Sequence, residues 1–353
     1  MTAPLPDLEQ RLRALVDGKT KPVGSLGRVE DLAVQIGLVQ RSTTPVVERC
    51  THTIFAADHG LAVEGISAYP SEVTRLMLAT FLAGGAAASV FARVVGARVR
   101  VVDAGVAGHP LEHPDLLSAR VGPGTANSAL GPAMTTGQCE EALAHGRELG
   151  ADGDDDVVSF GEMGIGNTSA ASLVCALVLG MPVSGLVGRG TGVDDAGLAR
   201  KVAVLDAVVA RVARGKPGYV SGSAAANAAA PRLGATEALR EVGGFEIAMM
   251  TGAMLGAASA GRVVIIDGFV AGAAAVAALD LDPSVRPALV FGHRSAEAGH
   301  DAVLKAIGVE PLLDLGMRLG EGTGALLALP LVRAAAAMLC EMASLESVGI
   351  EPA

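Results

Sequence analysis

Aromatic side chains are scarce in this 353-residue chain, which contains no Trp, two Tyr and seven Phe. Half of the residues are nevertheless apolar, and glycine occurs 46 times. Small residues in such numbers let helices pack closely on a sheet and let glycine loops approach a ligand. The length exceeds that of a usual single domain, so we expect one large domain with a smaller appendage, or two domains.

Positive charge is also in short supply. The 27 Lys and Arg residues are outnumbered by 37 Asp and Glu, which gives a net charge of −10, and no Lys/Arg-rich run occurs. A nucleic acid partner is therefore not expected, because binding to a phosphate backbone needs a basic face. An anionic small molecule is not excluded, since local backbone amides can outweigh the net charge.

Cysteine pairs and long apolar runs are missing as well. The four cysteines lie far apart in the chain: Cys50, Cys139, Cys175 and Cys340. This spacing argues against a disulfide framework and a zinc site, and it fits reduced thiols. The N-terminus lacks the apolar run of a signal peptide, and Pro182 and Asp267 interrupt the most apolar stretches. We therefore expect a cytoplasmic protein without a membrane span.

Short β-branched runs alternate with Ala/Leu-rich stretches along most of the chain. The hydrophobic spacing predicts helices over Asp7–Val16, Glu30–Gln40, Ala170–Leu179 and Ala325–Met342. Strands are predicted at Thr51–Ala56, Val99–Asp103, Val157–Phe160, Val263–Ile266 and Ala288–Phe291. The Gly/Pro-punctuated segment Ser221–Pro231 is predicted to be a loop or the start of a helix. This alternation indicates a parallel sheet covered on both faces, with ligands at the carboxyl ends of the strands.

The first glycine-rich element, Ser159–Ser169, follows a predicted strand and precedes a predicted helix. Its glycines permit a tight turn, and amides at a helix N-terminus favour an anion. Asn167, Thr168 and Ser169 are suited either to capping the helix or to donating to phosphate oxygens. A capped tight turn without a ligand remains an alternative. A carboxylate beside a phosphate needs hydroxyl partners, so Glu162 suggests a ribose diol.

The second and third glycine-rich elements carry one charged candidate each. Gly185–Asp195 precedes a predicted helix with Lys201, which either supplies a positive charge to a phosphate or is ordinary solvated surface. Leu313–Ala325 places Glu321 between two glycines at the start of an apolar helix. A partly desolvated carboxylate there has a raised pKa, which suits a general base. A helix-capping carboxylate is the alternative.

Histidines and strand-end aspartates are weaker candidates. The histidines are His59, His293 and His300. The last two are seven residues apart, which places them on one face if the segment is helical, but Arg294 between them is a poor neighbour for a metal ion. We expect structural or ion-pair roles with Ser295 and Glu297. The aspartates are predicted to cap loops: Asp58, Asp103 and Asp267.

Taken in order, the motifs resemble the nicotinate-nucleotide–dimethylbenzimidazole phosphoribosyltransferase family of cobalamin biosynthesis. The similar segments are KPVGSLGRVEDLA, FAADHGLAVEGISAYPSEVT, FLAGGAAASVFAR, SFGEMGIGNTSAAS, GRGTG, GGFEIAMMTGA, IIDGF, FGHRSAEAGH and LDLGMRLGEGTGALLALPLVRAA. They run from Lys21 to Ala337, which is nearly the whole chain. No single glycine-rich loop is specific, but nine segments in this order are.

The resemblance implies a Rossmann-like parallel sheet with helices on both faces and a small helical domain built from both chain ends. The implied boundaries are 1–44 and 301–353 for the small domain and 45–300 for the large one. The family forms homodimers and transfers the phosphoribosyl group of nicotinate mononucleotide to 5,6-dimethylbenzimidazole. Neither a metal nor another cofactor is implied.

Carried over residue by residue, the resemblance implies roles for three groups of residues. The general base falls on Glu321. The nucleotide-binding residues fall on Glu162, Gly164, Gly166, Asn167, Thr168, Gly190 and Lys201. The acceptor-base pocket falls on Ser67, Tyr69, Leu76, Met77 and Leu319. The family's Gln–Met pair is replaced here by Leu76–Met77, which predicts a more apolar pocket and leaves the preferred base open.

Several other functions remain open at this point. A magnesium-dependent, pyrophosphate-using phosphoribosyltransferase needs paired acidic residues in a strand-end loop, for which Asp194–Asp195 is a weak candidate. A dehydrogenase needs GxGxxG after the first strand, where this chain has ADHGLAVEG. The same fold with adenine or a benzimidazole analogue as acceptor, or a non-catalytic nucleotide-binding regulator, is also compatible with the motifs.

Overall fold

The computed structural model describes residues 5–214 and 229–350. Its sheet has six parallel strands in the order β3-β2-β1-β4-β5-β6, which is the Rossmann order. The strands are β1 (Cys50–Ala57), β2 (Arg98–Gly105), β3 (Leu116–Ser118), β4 (Val157–Met163), β5 (Val263–Ile266) and β6 (Leu289–Phe291). The predicted parallel sheet is confirmed. Most of the segment predicted as a loop or helix start, up to residue 228, lies outside the described residues.

Twelve α-helices connect or flank the strands in the described part of the chain. They are α1 (Leu5–Asp17), α2 (Arg28–Val39), α3 (Glu72–Leu82), α4 (Ala87–Val95), α5 (Thr136–Ala151), α6 (Asn167–Leu179), α7 (Asp195–Ala213), α8 (Ala235–Val242), α9 (Phe245–Ser259), α10 (Phe269–Leu281), α11 (His300–Ala306) and α12 (Thr323–Glu341). The four predicted helices correspond to α1, α2, α6 and α12, with ends that differ by at most three residues.

Alternate residues of strands β1, β4, β5 and β6 face opposite sides of the sheet and are buried on both sides. In β5, Val264 and Ile266 belong to a core shared with α5 to α11, whereas Val263 and Ile265 belong to one shared with α1, α2 and α12. A third cluster joins α3 and α4 to β1 and β2. Burial on both faces explains why the strands are nearly continuous apolar runs. The predicted helices on both faces are confirmed.

The edge strand β3 was not predicted. Its three residues pair with β2, from Val101↔Leu116 to Asp103↔Ser118, and they are exposed or half-buried. Strand β6 is equally short, but its three residues are buried and were predicted from their apolar run, whereas an exposed edge strand does not require apolar side chains.

The two ends of the chain meet on one side of the sheet. Helices α1 and α2 share a core with α12, and the ammonium of Lys19 donates to the carbonyl oxygen of Met342 at 2.8 Å. That core also contains strand residues such as Val157 and Val290, so these helices pack directly on the sheet. The domain boundaries at residues 44/45 and 300/301 stay a prediction.

Two helical stretches are long and apolar enough to cross a membrane by length and composition alone. They are Glu72–Val95 and Thr323–Glu341. The first is divided into α3 and α4, and the second contains Pro330 and is largely buried against the sheet and α2. Core helices of globular proteins pass the same test, so these two are weak evidence for a membrane span.

Helices α5 and α9 approach each other closely because each carries two glycines four residues apart. A Cβ at Gly146 would lie 2.1 Å from the carbonyl oxygen of Met249, and one at Gly252 would lie 2.1 Å from that of Leu143. Gly150 and Gly256 make equivalent approaches. The glycines therefore set the distance between α9, which lies on the sheet, and α5, which covers it.

Gly252→Ala is expected to destabilise the fold, since the new methyl group meets a backbone carbonyl and forces the helices apart. Overpacking of this kind typically costs about 1–3 kcal/mol of unfolding free energy. Gly137→Ala, in the partner helix α5 and with no atom near its added Cβ, is the matched control and should stabilise by up to about 1 kcal/mol. Urea unfolding measures both. Equal shifts in the two variants would show that close glycine packing does not matter here.

Candidate active site

A cavity of about 570 Å³ opens at the carboxyl ends of β4, β5 and β6. Ligand sites in open parallel sheets lie at this edge, and the volume is typical of a small-molecule site. Its walls come from three strand-end loops (residues 162–168, 267–270 and 293–297) and from three further segments (69–77, 190–191 and 318–321). The structure thus brings the three glycine-rich elements of the sequence together.

Glu321 lies at the centre of a strained turn. Gly320, Glu321 and Gly322 all have left-handed backbones, with φ of 87°, 61° and 82°. This conformation costs a residue other than glycine about 1–2 kcal/mol. The backbone carbonyl of Glu321 lies 2.8 Å from His52 Nε2. The carboxyl group of Glu162 packs against the start of the turn, since a Cβ on Gly320 would lie 2.2 Å from Glu162 Oε1.

Asp267 fixes the other end of this turn. Its Oδ1 accepts hydrogen bonds from the N–H groups of Gly324 at 2.7 Å and Ala325 at 3.1 Å, in the first turn of α12. The predicted capping role of Asp267 is confirmed, and the residue also lines the cavity. The turn that carries Glu321 is therefore held at both ends by buried side chains.

The Glu321 carboxylate is only 6% exposed and lines the cavity. Burial raises its pKa above the ordinary value, and the charge of Asp267 acts in the same direction. Hydrogen bonds from Ala88 and Ala87 oppose that rise, with Ala88 N–H at 3.1 Å from Oε2. The Glu321 carboxylate thus accepts a hydrogen bond at a helix N-terminus, which is the alternative role that the sequence left open. The helix is α4, however, and not α12, which follows Glu321 in the chain.

Glu162 is the second-last residue of β4, is buried, and faces the same cavity. Burial raises its pKa well above the ordinary value, and the negative charges of Asp267 and Glu246 add to this effect. The side-chain amide of Asn167 donates to Glu162 Oε2. A carboxyl group with a raised pKa can both donate to and accept from the hydroxyls of a ligand.

The anion-binding candidates line one end of the cavity. Gly164, Asn167 and Thr168 lie at the junction of β4 and α6, and Gly190 faces them from the next glycine-rich loop. Amides at the N-terminus of α6 favour negative charge there. Gly166 does not line the cavity. It precedes α6 with φ of 97° and packs against His59.

Lys201 lies immediately behind this end of the cavity. Its ammonium is 1% exposed and donates to Thr168 Oγ1 at 2.9 Å and to the carbonyl of Gly188 at 3.1 Å. Burial lowers its pKa to about 8, partly offset by the charge of Glu297. The solvated-surface alternative for Lys201 is wrong, but the ammonium reaches the cavity wall through Thr168 and does not itself line it.

A group of apolar residues also lines the cavity: Tyr69, Val73, Met77, Met163 and Leu319. Of the five predicted pocket residues, the structure brings in Tyr69, Met77 and Leu319. Ser67 lies outside and bonds to Thr191, with the two hydroxyl oxygens 3.1 Å apart. Leu76 also lies outside, 65% exposed on the solvent side of α3, because Val73 and Met77 occupy the helical face that meets the cavity.

Polar residues after β6 also line the cavity, although the sequence suggested only structural roles for them. They are His293, Ser295 and Glu297. His293 Nε2 lies 3.4 Å from Asp267 Oδ1, and Glu297 Oε1 accepts from the N–H of Gly190 at 3.0 Å. His293 precedes α11 and His300 begins it, so the two do not share one helical face. Their place just after a strand was the clue that could have identified them.

Electrostatically, the cavity is dominated by carboxylates. Burial alone would raise the pKa of Asp267, but the hydrogen bond and charge of His293 and the α12 amides outweigh it and lower that pKa. Asp267 is thus ionised beside two carboxyl groups whose pKa values are raised. Within the described ranges, no group of three His, Cys, Asp or Glu side chains is arranged to hold a metal ion.

Comparison with known proteins places this geometry in a family. The model of a phosphoribosyltransferase family matches residues 1–350. The nicotinate-nucleotide–dimethylbenzimidazole phosphoribosyltransferase of Dechloromonas aromatica is 50% identical over 352 residues, 98% of this chain and 97% of the relative. The enzyme of the same name from Ralstonia nicotianae is also 50% identical, over 98% of this chain and 94% of its own length.

Solved structures agree. The crystal structure of CobT from Thermus thermophilus is 43% identical and superposes with a TM-score of 0.89, covering 99% of this chain and all of that one. A second structure from that organism, described as a nicotinate-nucleotide–dimethylbenzimidazole phosphoribosyltransferase, gives a TM-score of 0.88 at 41% identity. The chain belongs to this phosphoribosyltransferase family.

Proposed function

We propose that the protein transfers the phosphoribosyl group of nicotinate mononucleotide to 5,6-dimethylbenzimidazole with inversion, giving α-ribazole 5′-phosphate and nicotinate for the lower ligand of cobalamin. The observation that carries this proposal is the position of Glu321. Its buried carboxylate lies in one cavity with the candidate anion-binding residues and with a group of apolar side chains. A base between a nucleotide and a flat apolar acceptor is the arrangement that this transfer needs.

The donor nucleotide fits the end of the cavity formed by the β4–α6 junction. Its phosphate is assigned to Gly164, Asn167 and Thr168, with the positive charge of Lys201 behind them. The ribose hydroxyls are assigned to Glu162, whose carboxyl group can donate as well as accept. The ionised Asp267 favours the positive charge of the nicotinate ring, since opposite charges attract strongly in a desolvated site.

The chemistry then requires one base. In nicotinate mononucleotide the glycosidic nitrogen is part of a cationic pyridinium. When the C1′–N bond breaks, its electron pair stays on that nitrogen and nicotinate leaves without being protonated. A ring nitrogen of the acceptor attacks C1′ from the opposite face, which inverts β to α. The proton on the other ring nitrogen passes to the Glu321 carboxylate.

The alternative enzyme classes have weaker support. Asp194 Oδ1 caps α7 by accepting from Gly197 N–H at 2.8 Å, and the exposed Asp195 pairs with Arg189. Neither aspartate lines the cavity, as a magnesium-pyrophosphate site would require. A different acceptor base is compatible with the apolar side chains of the cavity, and a non-catalytic regulator would retain the cavity without turnover.

We also propose that the protein is cytoplasmic and forms a homodimer. Light scattering after gel filtration tests the homodimer.

Mixing nicotinate mononucleotide and dimethylbenzimidazole with the purified protein in excess EDTA tests the proposal. Release of nicotinate that requires both substrates is expected. Binding of the nucleotide without any nicotinate release would favour the regulator, and activity restored only by magnesium and pyrophosphate-linked donors would favour the other transferase class.

Glu321→Gln is expected to lower turnover by about 10²–10⁴-fold, because general-base catalysis typically contributes that much. Binding of nicotinate mononucleotide should remain nearly normal, since the carboxylate acts on the acceptor. Steady-state kinetics and nucleotide titration measure the two effects. Glu310→Gln, an exposed glutamate in the preceding segment, is the control. Turnover of Glu321→Gln within threefold of wild type would remove this residue from the mechanism.

Binding of the nucleotide should weaken as pH rises above about 8, the pKa of Lys201 in the unliganded protein. The phosphate favours the charged ammonium, which is present below that pH and lost above it. The ammonium acts on the phosphate from behind Thr168, so the loss should be at most roughly 1.5–3 kcal/mol, the contribution of a direct charged hydrogen bond. The KM for the nucleotide measured between pH 7 and 9.5 should rise, whereas that for unphosphorylated nicotinate riboside should not. Equal rises for both donors would contradict a phosphate role for Lys201.

The acceptor pocket predicts different effects for two neighbouring substitutions. Leu76→Gln, on the exposed side of α3, should change kcat/KM for dimethylbenzimidazole less than twofold. Met77→Gln should lower it, because an unsatisfied buried amide costs about 1–3 kcal/mol, or roughly 5–150-fold. Assays at saturating nucleotide compare the two variants. A larger effect at Leu76 than at Met77 would show that Leu76 reaches the acceptor.

A further inference from the structure

His52 is a buried histidine that neither contacts the cavity nor belongs to any glycine-rich motif. It lies in the middle of β1, directly opposite Ser159 of β4 in the strand register. Its Nδ1 is 2.8 Å from Ser159 Oγ, and its Nε2 is 2.8 Å from the backbone carbonyl oxygen of Glu321. Both ring nitrogens are therefore used.

The partners determine which nitrogen carries the proton. A carbonyl oxygen only accepts, so Nε2 must be the donor to Glu321. Burial lowers the pKa of His52, which keeps the ring neutral at pH 7. In the neutral ring Nδ1 is then an acceptor, and the Ser159 hydroxyl donates to it. One directed chain of hydrogen bonds thus runs from β4 through His52 to the backbone of Glu321.

The turn has room for the imidazole ring of His52 because two nearby positions are glycine. A Cβ on Gly322 would lie 1.9 Å from His52 Cε1, and a Cβ on Gly161 would lie 2.2 Å from the carbonyl oxygen of Glu321. Only glycine at these two positions allows the imidazole and the carbonyl to meet. The contact therefore depends on residues from β1, β4 and the turn before α12.

We propose that His52 is a positioning residue, which aims the Glu321 carboxylate at the acceptor by holding the Glu321 carbonyl in its left-handed turn. This inference rests on the function proposed above. Glu321 has an unfavourable backbone conformation, so loss of the hydrogen bond lets its peptide rotate and moves the carboxylate. A displacement of about 1 Å at a reacting group can lower the rate about 10²-fold.

Two amide substitutions separate this role from a merely structural one. In His52→Gln the amide nitrogen falls near the position of Nε2 and still donates to the Glu321 carbonyl. In His52→Asn the amide falls near Nδ1 and keeps only the contact with Ser159. Both variants replace the ring by the same neutral group, and they differ in reach.

We expect His52→Gln to retain kcat within about tenfold of wild type and His52→Asn to lose about 10²-fold, with the KM for the nucleotide within about threefold in both. The acidic limb of the kcat–pH profile is the second measurement. A loosened turn admits water to Glu321, so in His52→Asn that limb should move to lower pH, toward the pKa of an ordinary carboxyl group. A smaller amount of folded enzyme would lower the rate without moving the limb.

Equal losses in the two variants with unmoved acidic limbs, or kcat within threefold of wild type in both, would overturn the proposal. If His52→Asn does not fold, Ser159→Ala replaces it, because it removes the donor to Nδ1. A loss of kcat of at least fivefold with the same limb shift would then support the proposal, and kcat within twofold of wild type would overturn it. A wild-type protein that forms no product would instead refute the proposed function.

Discussion

The rest of the site depends on the contacts that fix the turn Gly320–Glu321–Gly322 in its left-handed conformation. A glutamate in a left-handed conformation persists only where its surroundings fix it. Here the carboxyl group of Glu162 packs against Gly320, the carbonyl oxygen of Glu321 is hydrogen-bonded to His52, and the first turn of α12 is hydrogen-bonded to Asp267. Strands β1 and β4 and the residue that follows β5 supply these contacts, so the central sheet itself positions the carboxylate.

The same contacts place the carboxyl groups of Glu162, Asp267 and Glu321 around one cavity, so the charge of one affects the pKa of another. Burial raises the pKa values of Glu162 and Glu321, whereas the α12 amides and His293 keep Asp267 ionised. One fixed negative charge beside two readily protonated groups suits a donor that carries a cationic ring and a reaction that releases one proton. The position proposed for the phosphate is the start of α6, where Lys201 lies behind Thr168.

Local patterns of the sequence were sufficient to predict the parallel sheet, most of its strands and the three glycine-rich elements. They were insufficient where a residue's role depends on a partner distant in the chain. The His52 contact with Glu321 spans 269 positions. Leu76 and Met77 are adjacent in sequence, and only the orientation of α3 decides that Met77 lines the cavity and Leu76 does not. The strand β3 was missed because it is a short edge strand that is not buried, whereas the equally short β6 is a buried apolar run.

The central claim is that donor and acceptor occupy this cavity together and react in a single displacement, with Glu321 removing the proton. The anomeric configuration of the product, determined by NMR from the coupling and the through-space contacts of its C1′ proton, tests this claim most directly. The account predicts the α configuration alone, because attack from the face opposite the leaving nicotinate inverts C1′. A product with the β configuration would require two displacements or a different approach to C1′, and it would contradict the assigned arrangement of the site.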